Sequence, residues 1–283
     1  MVETRTAERR GDPNVAALLT WFLPGAGHLY VGRGGLGLLA FCALEGLYLL
    51  GWFLSDGRTF EYLDPELRGP LATLLTPEAG NLGAMLFHLK SSGFGSAEAV
   101  PFPRWMVLAS FCSALSGILN LFVAAHAHLE ARAGQPLSPA GPHPVRMLAA
   151  AWLFPGLGHW LQGRRLRAAI VCVVLLGLFV LGTWLAAGTN LSRERHFYYW
   201  SGQFLLGGPA LLLEELAGNP RVTGELSWVD VGLLYACMAG LLNVLTMLDV
   251  WGVAERRWLA PPRGSLPDPA LASPSPTSSE VPA

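Results

Sequence analysis

Trp21-Phe22-Leu23-Pro24-Gly25-Ala26-Gly27-His28-Leu29-Tyr30-Val31-Gly32-Arg33 aligns without a gap on Trp152-Leu153-Phe154-Pro155-Gly156-Leu157-Gly158-His159-Trp160-Leu161-Gln162-Gly163-Arg164. The Trp, Pro, both inner Gly, His, the last Gly and Arg are identical in the two copies. Self-similarity of this kind fixes architecture before any motif is interpreted. The register continues to Gly46 on Gly177 and to Gly51 on Gly182. Further along each half, 116–120 matches 239–243, with Asn120 on Asn243. The repeated unit therefore reads as a short helix, an apolar span, a loop and a second span.

Working outward, four stretches are long enough to cross a hydrocarbon core of about 30 Å, which takes about 20 mainly apolar residues. They are 36–54, 105–129, 168–187 and 228–250. The chain is 52% hydrophobic and only 14% charged, where soluble domains carry about a quarter charged residues. The expected class is an all-α integral membrane protein. It has two tandem repeats, each a short Pro/Gly-broken motif helix plus two membrane-spanning helices. Lys and Arg number 19 against 20 Asp and Glu, so there is no basic excess of the kind that marks a nucleic-acid binder.

The expected organisation is a disordered start at 1–12, repeat 1 at 13–130, a Pro-rich linker at 131–146, repeat 2 at 147–260, and a disordered Pro/Ser-rich tail at 261–283. Arg9-Arg10 ahead of the apolar run 15–23 has the form of a signal peptide. The same pattern recurs at 148–163, which favours structure. The loops 55–104 and 188–227 are expected to lie outside the membrane.

Two topologies are open. If the motif segments 15–31 and 148–161 dip in and return, there are four spans and the repeats are parallel; if they cross, there are six and the repeats are inverted, as in many transporters. The positive-inside rule places both termini in the cytoplasm under either model. The length of the motif segments tips the sequence reading toward crossing, since about 17 residues at 1.5 Å each reach roughly 25 Å.

Several residues are candidates for chemistry. In each motif, proline removes a helical hydrogen bond and glycine admits a neighbouring helix. His28 with Tyr30, and His159 with Trp160, are expected near the interface, with Arg33 and Arg164 reaching toward lipid phosphate. Packing and anchoring is the favoured reading; the sharper one has His28 and His159 meeting to bind a metal, a proton or a head group. Glu45, in mid-span, and Asp249, near the end of the last span, need partners, because an acid inside the membrane costs about 2.5–3.5 kcal/mol. Glu45 aligns with Leu176, so the second half lacks it. Asn120 and Asn243 suit interhelical hydrogen bonding. His126 and His128 point to different helix faces. Cys42, Cys112, Cys172 and Cys237 lie in apolar runs and read as buried thiols without metal spacing.

At these motifs the chain resembles the two-transmembrane hairpin domain family, whose short first helix ends in Gly-x-x-Gly-x-His-x-Phe-Tyr-x-Gly before a tight turn. Residues 17–33 are the closer copy. It is still more similar to uncharacterised bacterial membrane proteins with Pro-Gly-x-Gly-His motifs and a last span like 242–251. The Phe-Tyr pair is replaced by Leu29-Tyr30 and by Trp160-Leu161. The resemblance implies a bacterial inner-membrane protein and brings no catalytic residues.

No nucleophile elbow, P-loop or His-Glu-x-x-His pattern is present. The expectation is a non-enzymatic membrane protein without cofactor or metal. Its expected partners are the lipid bilayer and other membrane proteins, with no role for nucleic acid. The alternative is a transporter or lipid-handling protein with a site between the repeats.

Overall fold

The computed structural model describes residues 11–63, 68–95, 100–133, 142–193, 195–217 and 227–259. The first half contains α1 (Pro13–Phe22), α2 (Ala26–Tyr30), α3 (Gly34–Leu54), α4 (Pro70–Leu74), α5 (Leu82–Ser92) and α6 (Met106–Ala133). The second contains α7 (Pro144–Leu153), α8 (Leu157–Leu161), α9 (Arg165–Leu185), α10 (Phe197–Phe204), α11 (Gly208–Ala217) and α12 (Val229–Trp258). Four of these, α3, α6, α9 and α12, are long and apolar enough to cross a bilayer. The chain is thus a membrane-embedded helical protein with two tandem repeats. The described residues contain no strand.

The motif helix does not cross. The Asp12 carboxylate caps α1 by accepting from the Asn14 and Val15 amides, and Pro13 opens its first turn, where a missing N–H costs nothing. At 10 residues, α1 is about 15 Å long, half the hydrocarbon core. The chain then breaks at Leu23-Pro24, Gly25 takes the left-handed conformation at φ 80°, and α2 runs back along α1. Thr20 Oγ1 accepts from the Gly27 amide at 3.0 Å, and Tyr30 Oη accepts from the Asp12 amide at 3.2 Å. That last contact brings the start and the end of the hairpin to one level. The second half repeats the course: His143 Nδ1 caps α7 through Val145, Gly156 turns at φ 87°, and Gly158 lies against Met147 and Ala151. The sequence-based preference for crossing is therefore corrected. Length alone suggested it, but Pro24-Gly25 divides that length into two antiparallel pieces.

A second correction concerns the loops. From the other end of the bundle, the 3-10 turn Pro77–Gly80 and the N-terminus of α5 descend to the middle of α6, where Gly80 and Gly117 pack backbone to backbone. Gly83 of α5 abuts the Phe22 carbonyl at the end of α1. In the second half, Gly202 meets Gly240, and Gly207 and Gly208 abut the Trp152 and Leu153 carbonyls. Each repeat thus has a third, composite column, α1 with α5 or α7 with α11, broken at mid-depth. The expectation that these loops lie wholly outside the membrane segments is thereby corrected: each holds a Gly-Pro pair and more acidic residues than the spans, yet part of each descends to mid-depth.

At the hairpin-opening end, called the mouth here, α6 and α12 lie side by side: Arg132 pairs with Glu255 at 2.9 Å. His143, at the start of α7, stacks on His126 of α6 at 5.2 Å between ring centroids. The repeats are parallel and both hairpins open at the same end. At the opposite end, Phe60, Tyr62, Met85 and Met106 form a core with Phe197 of the second half. Between the halves, Ala114 and Ile118 pack on Trp200 and Phe204, with Phe122 and Trp152 at the edge.

At the boundaries, Gly11 and Asp12 are described, α6 runs to Ala133 and α7 begins at Pro144. The remaining parts of the expected disordered start, linker and tail, 1–10, 134–141 and 260–283, lie outside the described residues. Of the four thiols, all free, Cys112 is buried, Cys172 and Cys237 are half-buried, and Cys42 is exposed on α3. The expectation of uniform burial fails there because Cys42 lies on the outward side of α3, near the exposed Leu38, Leu39 and Phe41.

Candidate functional site

Polar side chains recur at equivalent places in the two repeats: the mid-depth break in each composite column, and the mouth of each hairpin. At the first break, Asn120 is fully buried, and its side-chain amide donates to the Thr20 carbonyl at 2.8 Å and to the Gly80 carbonyl at 2.9 Å. One amide thus closes the end of α1 and the end of the 3-10 turn together. Asn81 caps α5 at Ala84 and donates to Ser116 Oγ, which donates to the Leu44 carbonyl. Asn243 makes the corresponding bonds in repeat 2, to the Ala151 carbonyl at 3.4 Å and the Leu205 carbonyl at 3.1 Å. Without such donors the freed carbonyls would be unpaired in the apolar interior, which a membrane does not tolerate. Glu45 sits half-buried beside Asn81.

The mouths are built alike and furnished differently. In repeat 1, His28 is buried and shares a 2.8 Å hydrogen bond between its Nε2 and Nδ1 of His126; Arg33 pairs with Glu130 at 2.8 Å. In repeat 2, His159 Nε2 meets Asp249 at 3.1 Å, and Arg164 pairs with the same carboxylate at 2.7 Å. The alignment of 116–120 on 239–243, carried further, puts His126 on Asp249. One position on the last span thus takes an imidazole in one copy and a carboxylate in the other, each holding the motif histidine. That equivalence was available in the sequence and is missed when His126 and Asp249 are weighed apart. His28 and His159 do not pair with each other; each is held within its own repeat by a residue of that repeat's last span.

The remaining motif residues serve packing and turns. A Cβ on Gly25 would strike the Gly37 carbonyl, one on Gly27 the Ala16 carbonyl, and one on Gly156 the Ala168 carbonyl. Pro24 and Pro155 are buried at the hairpin tips, while Gly32 at φ 81° and Gly163 at φ 80° turn in open space. Tyr30 ties the mouth to Asp12. Gly46 and Gly177, though in register, face open space.

Sequence reasoning passed over a third constellation, between the repeats. Glu78, fully buried, pairs with Arg193 of the other half at 2.7 Å and accepts from Ser113 Oγ at 3.0 Å. The Arg193 guanidinium lies 4.6 Å from the Trp200 ring, 5.4 Å from Phe197 and 5.6 Å from Tyr62. Both charges come from loops taken as external, so only the descent of those loops brings them together. His143 completes the mouth, between His126 and Trp258. Burial, with His126 and Arg146 nearby, pushes its imidazole below the usual range.

A family model for a family of unknown function, DUF6677, matches residues 15–137 and again 146–258. The chain belongs to that family. In DUF6677 terms it carries two copies, and their bounds enclose the two hairpin-to-last-span units described above. Comparison with curated proteins and with solved structures returned no significant match.

Chemically, the DUF6677 mouths position rather than expose. One ring of the His28–His126 pair must donate and the other accept, so the accepting nitrogen is unprotonated. In repeat 2, His159 is held by a carboxylate that is also drawn to Arg164. The remaining ring nitrogens, Nδ1 of His28 and of His159, are buried. Among the described residues, no group of three His, Cys, Asp or Glu side chains is disposed to hold a metal ion.

Proposed function

We propose that this is a non-enzymatic bacterial inner-membrane protein that works through its surfaces, as a lipid-associated scaffold with both termini in the cytoplasm. The observation that supports it is the division of labour among the polar residues. At mid-depth, Asn81, Asn120 and Asn243 hold the broken columns, and the motif residues are spent on the hairpins. Among the described residues, eight arginines stand at the mouth end, Arg33, Arg132, Arg146, Arg164, Arg165, Arg167, Arg256 and Arg257, with exposed Trp160 beside them, against five, Arg58, Arg68, Arg104, Arg193 and Arg195, toward the other end. Arginine at one end favours that end in the cytoplasm, and anionic lipid on the cytoplasmic leaflet attracts each such charge by about 1 kcal/mol.

The test is thermal unfolding of the full chain in nanodiscs of phosphatidylcholine with and without phosphatidylglycerol. Anionic lipid is expected to raise Tm by several degrees, and the increment is expected to shrink as NaCl rises toward 1 M, where the Debye length is about 3 Å. An equal Tm in both lipids contradicts the reading.

A transporter is the second reading, supported by the broken columns and by the Glu78–Arg193 pair between the halves, since broken helices are where transporters build their sites. The filling of that region by Trp152, Trp200 and Phe204 supports the scaffold over it.

A further inference from the structure

The two mouths share a backbone but not a charge. In repeat 1, Arg33 is matched by Glu130, and the positions that follow it on the span are Gly34, Gly35 and Leu36. In repeat 2, the same turn reads Arg164, Arg165, Leu166, Arg167, and Arg257 reaches back to donate to the Gln162 carbonyl at 3.2 Å. Of these four, Arg164 and Arg167 contact the carboxylate of Asp249. Arg164 takes that carboxylate at 2.7 Å, whereas Arg167 touches it only at 3.5 Å and its side chain is 65% exposed. Arg165 lies over the Trp160 ring at 5.6 Å, and Trp160 is itself 54% exposed. Below them on α9, Leu166, Ile170, Val173 and Val174 form an exposed apolar lane at the helical spacing that keeps side chains on one face.

We infer that the mouth of repeat 2 binds the headgroup phosphate of an anionic phospholipid between Arg165 and Arg167, whose long side chains flank Leu166 from its two sides, with the acyl chains on the α9 lane that Leu166 opens. Guanidinium groups pair with phosphate through parallel N–H donors, and tryptophan at this depth marks the headgroup level. The lane explains why the ligand is a lipid: a free anion has no use for an apolar track that starts one residue from the arginines. Repeat 1, with its arginine neutralised and no second or third, provides the internal comparison. The inference rests on the lipid-associated reading above and narrows it to one site.

Native mass spectrometry of the detergent-solubilised full chain, titrated with phosphatidylglycerol, phosphatidylcholine or inorganic phosphate, tests it. The wild-type protein is expected to retain one phosphatidylglycerol well above the level of phosphatidylcholine. Arg165→Gln with Arg167→Gln is expected to weaken that binding about thirtyfold, as two phosphate-facing cations would, and Arg167→Gln alone about fivefold. The single variant, made at a mostly exposed side chain, keeps the test valid if the double variant folds poorly. Undiminished retention by folded variants overturns the site while leaving general lipid association standing. Loss of the anionic preference in the wild type overturns both. Displacement of the lipid by millimolar inorganic phosphate would make the site one for a free anion and overturn the assignment.

Discussion

Replacing Arg193 by methionine is expected to destabilise the protein by about 3–5 kcal/mol, because removal of one partner of a buried ion pair strands the other charge. Glu78 is wholly buried and its pairing oxygen has two donors, Arg193 and Ser113. Losing the guanidinium leaves a carboxylate with one hydroxyl for company at the contact between the halves. The loss is compounded by three aromatic rings, Trp200, Phe197 and Tyr62, that now face the cation. At about 2–4 °C per kcal/mol for a chain of this size, Tm in mild detergent should fall by roughly 10 °C. Glu78→Leu combined with Arg193→Met is expected to recover most of the loss, since apolar replacements of both partners are often neutral. A double variant as unstable as the single one would show that the pair's worth lies in its neighbours.

The second large effect belongs to the hairpin tip. Gly25→Ala is expected to abolish the folded protein, while Gly32→Ala, at the same positive φ, should cost only about 1 kcal/mol. Both glycines have φ near 80°, but nothing lies within 4 Å of a Cβ at Gly32, whereas one at Gly25 would overlap the Gly37 carbonyl of α3. Backbone strain is common to the two; the clash is not. A carbonyl oxygen on the first turn of a span cannot withdraw without moving the helix. Size-exclusion profiles and Tm of the two variants make the comparison. Equal behaviour would mean that the tip is not packed against α3 as described.

Much of this was legible. The duplicated Pro-Gly-x-Gly-His segment, the four apolar stretches and the paired Asn120 and Asn243 follow from spacing alone. What spacing could not show is depth. Periodicity reports which face of a helix is apolar, but a re-entrant hairpin and a short crossing helix have the same composition. The decision rests on Gly25 in the left-handed region and on Tyr30 returning to Asp12, two contacts that only three-dimensional folding creates. The loops were misplaced for a related reason. Pro77–Gly80 carries Glu78, and a charged loop reads as external until its partner, Arg193 from the other half, is found beside it. In the mouths, the functional equivalence of His126 and Asp249 was hidden by their difference in chemistry, although the repeat register joins them. The arginines of repeat 2 were visible in the sequence, but their asymmetry acquires meaning only once both turns stand at the same end.

That last point is the foundation of the account, and sidedness of the turns tests it most directly. Single cysteines at Gly34 and Arg165, with a third at Trp105, would be introduced after replacement of Cys42, Cys112, Cys172 and Cys237. A membrane-impermeant thiol reagent would then be applied to intact cells and to inverted vesicles. Re-entrant hairpins predict that positions 34 and 165 label together, from inverted vesicles only, and that position 105 labels from intact cells. Labelling of 34 and 165 from opposite sides would mean that the motif helices cross, and would contradict the parallel four-span architecture.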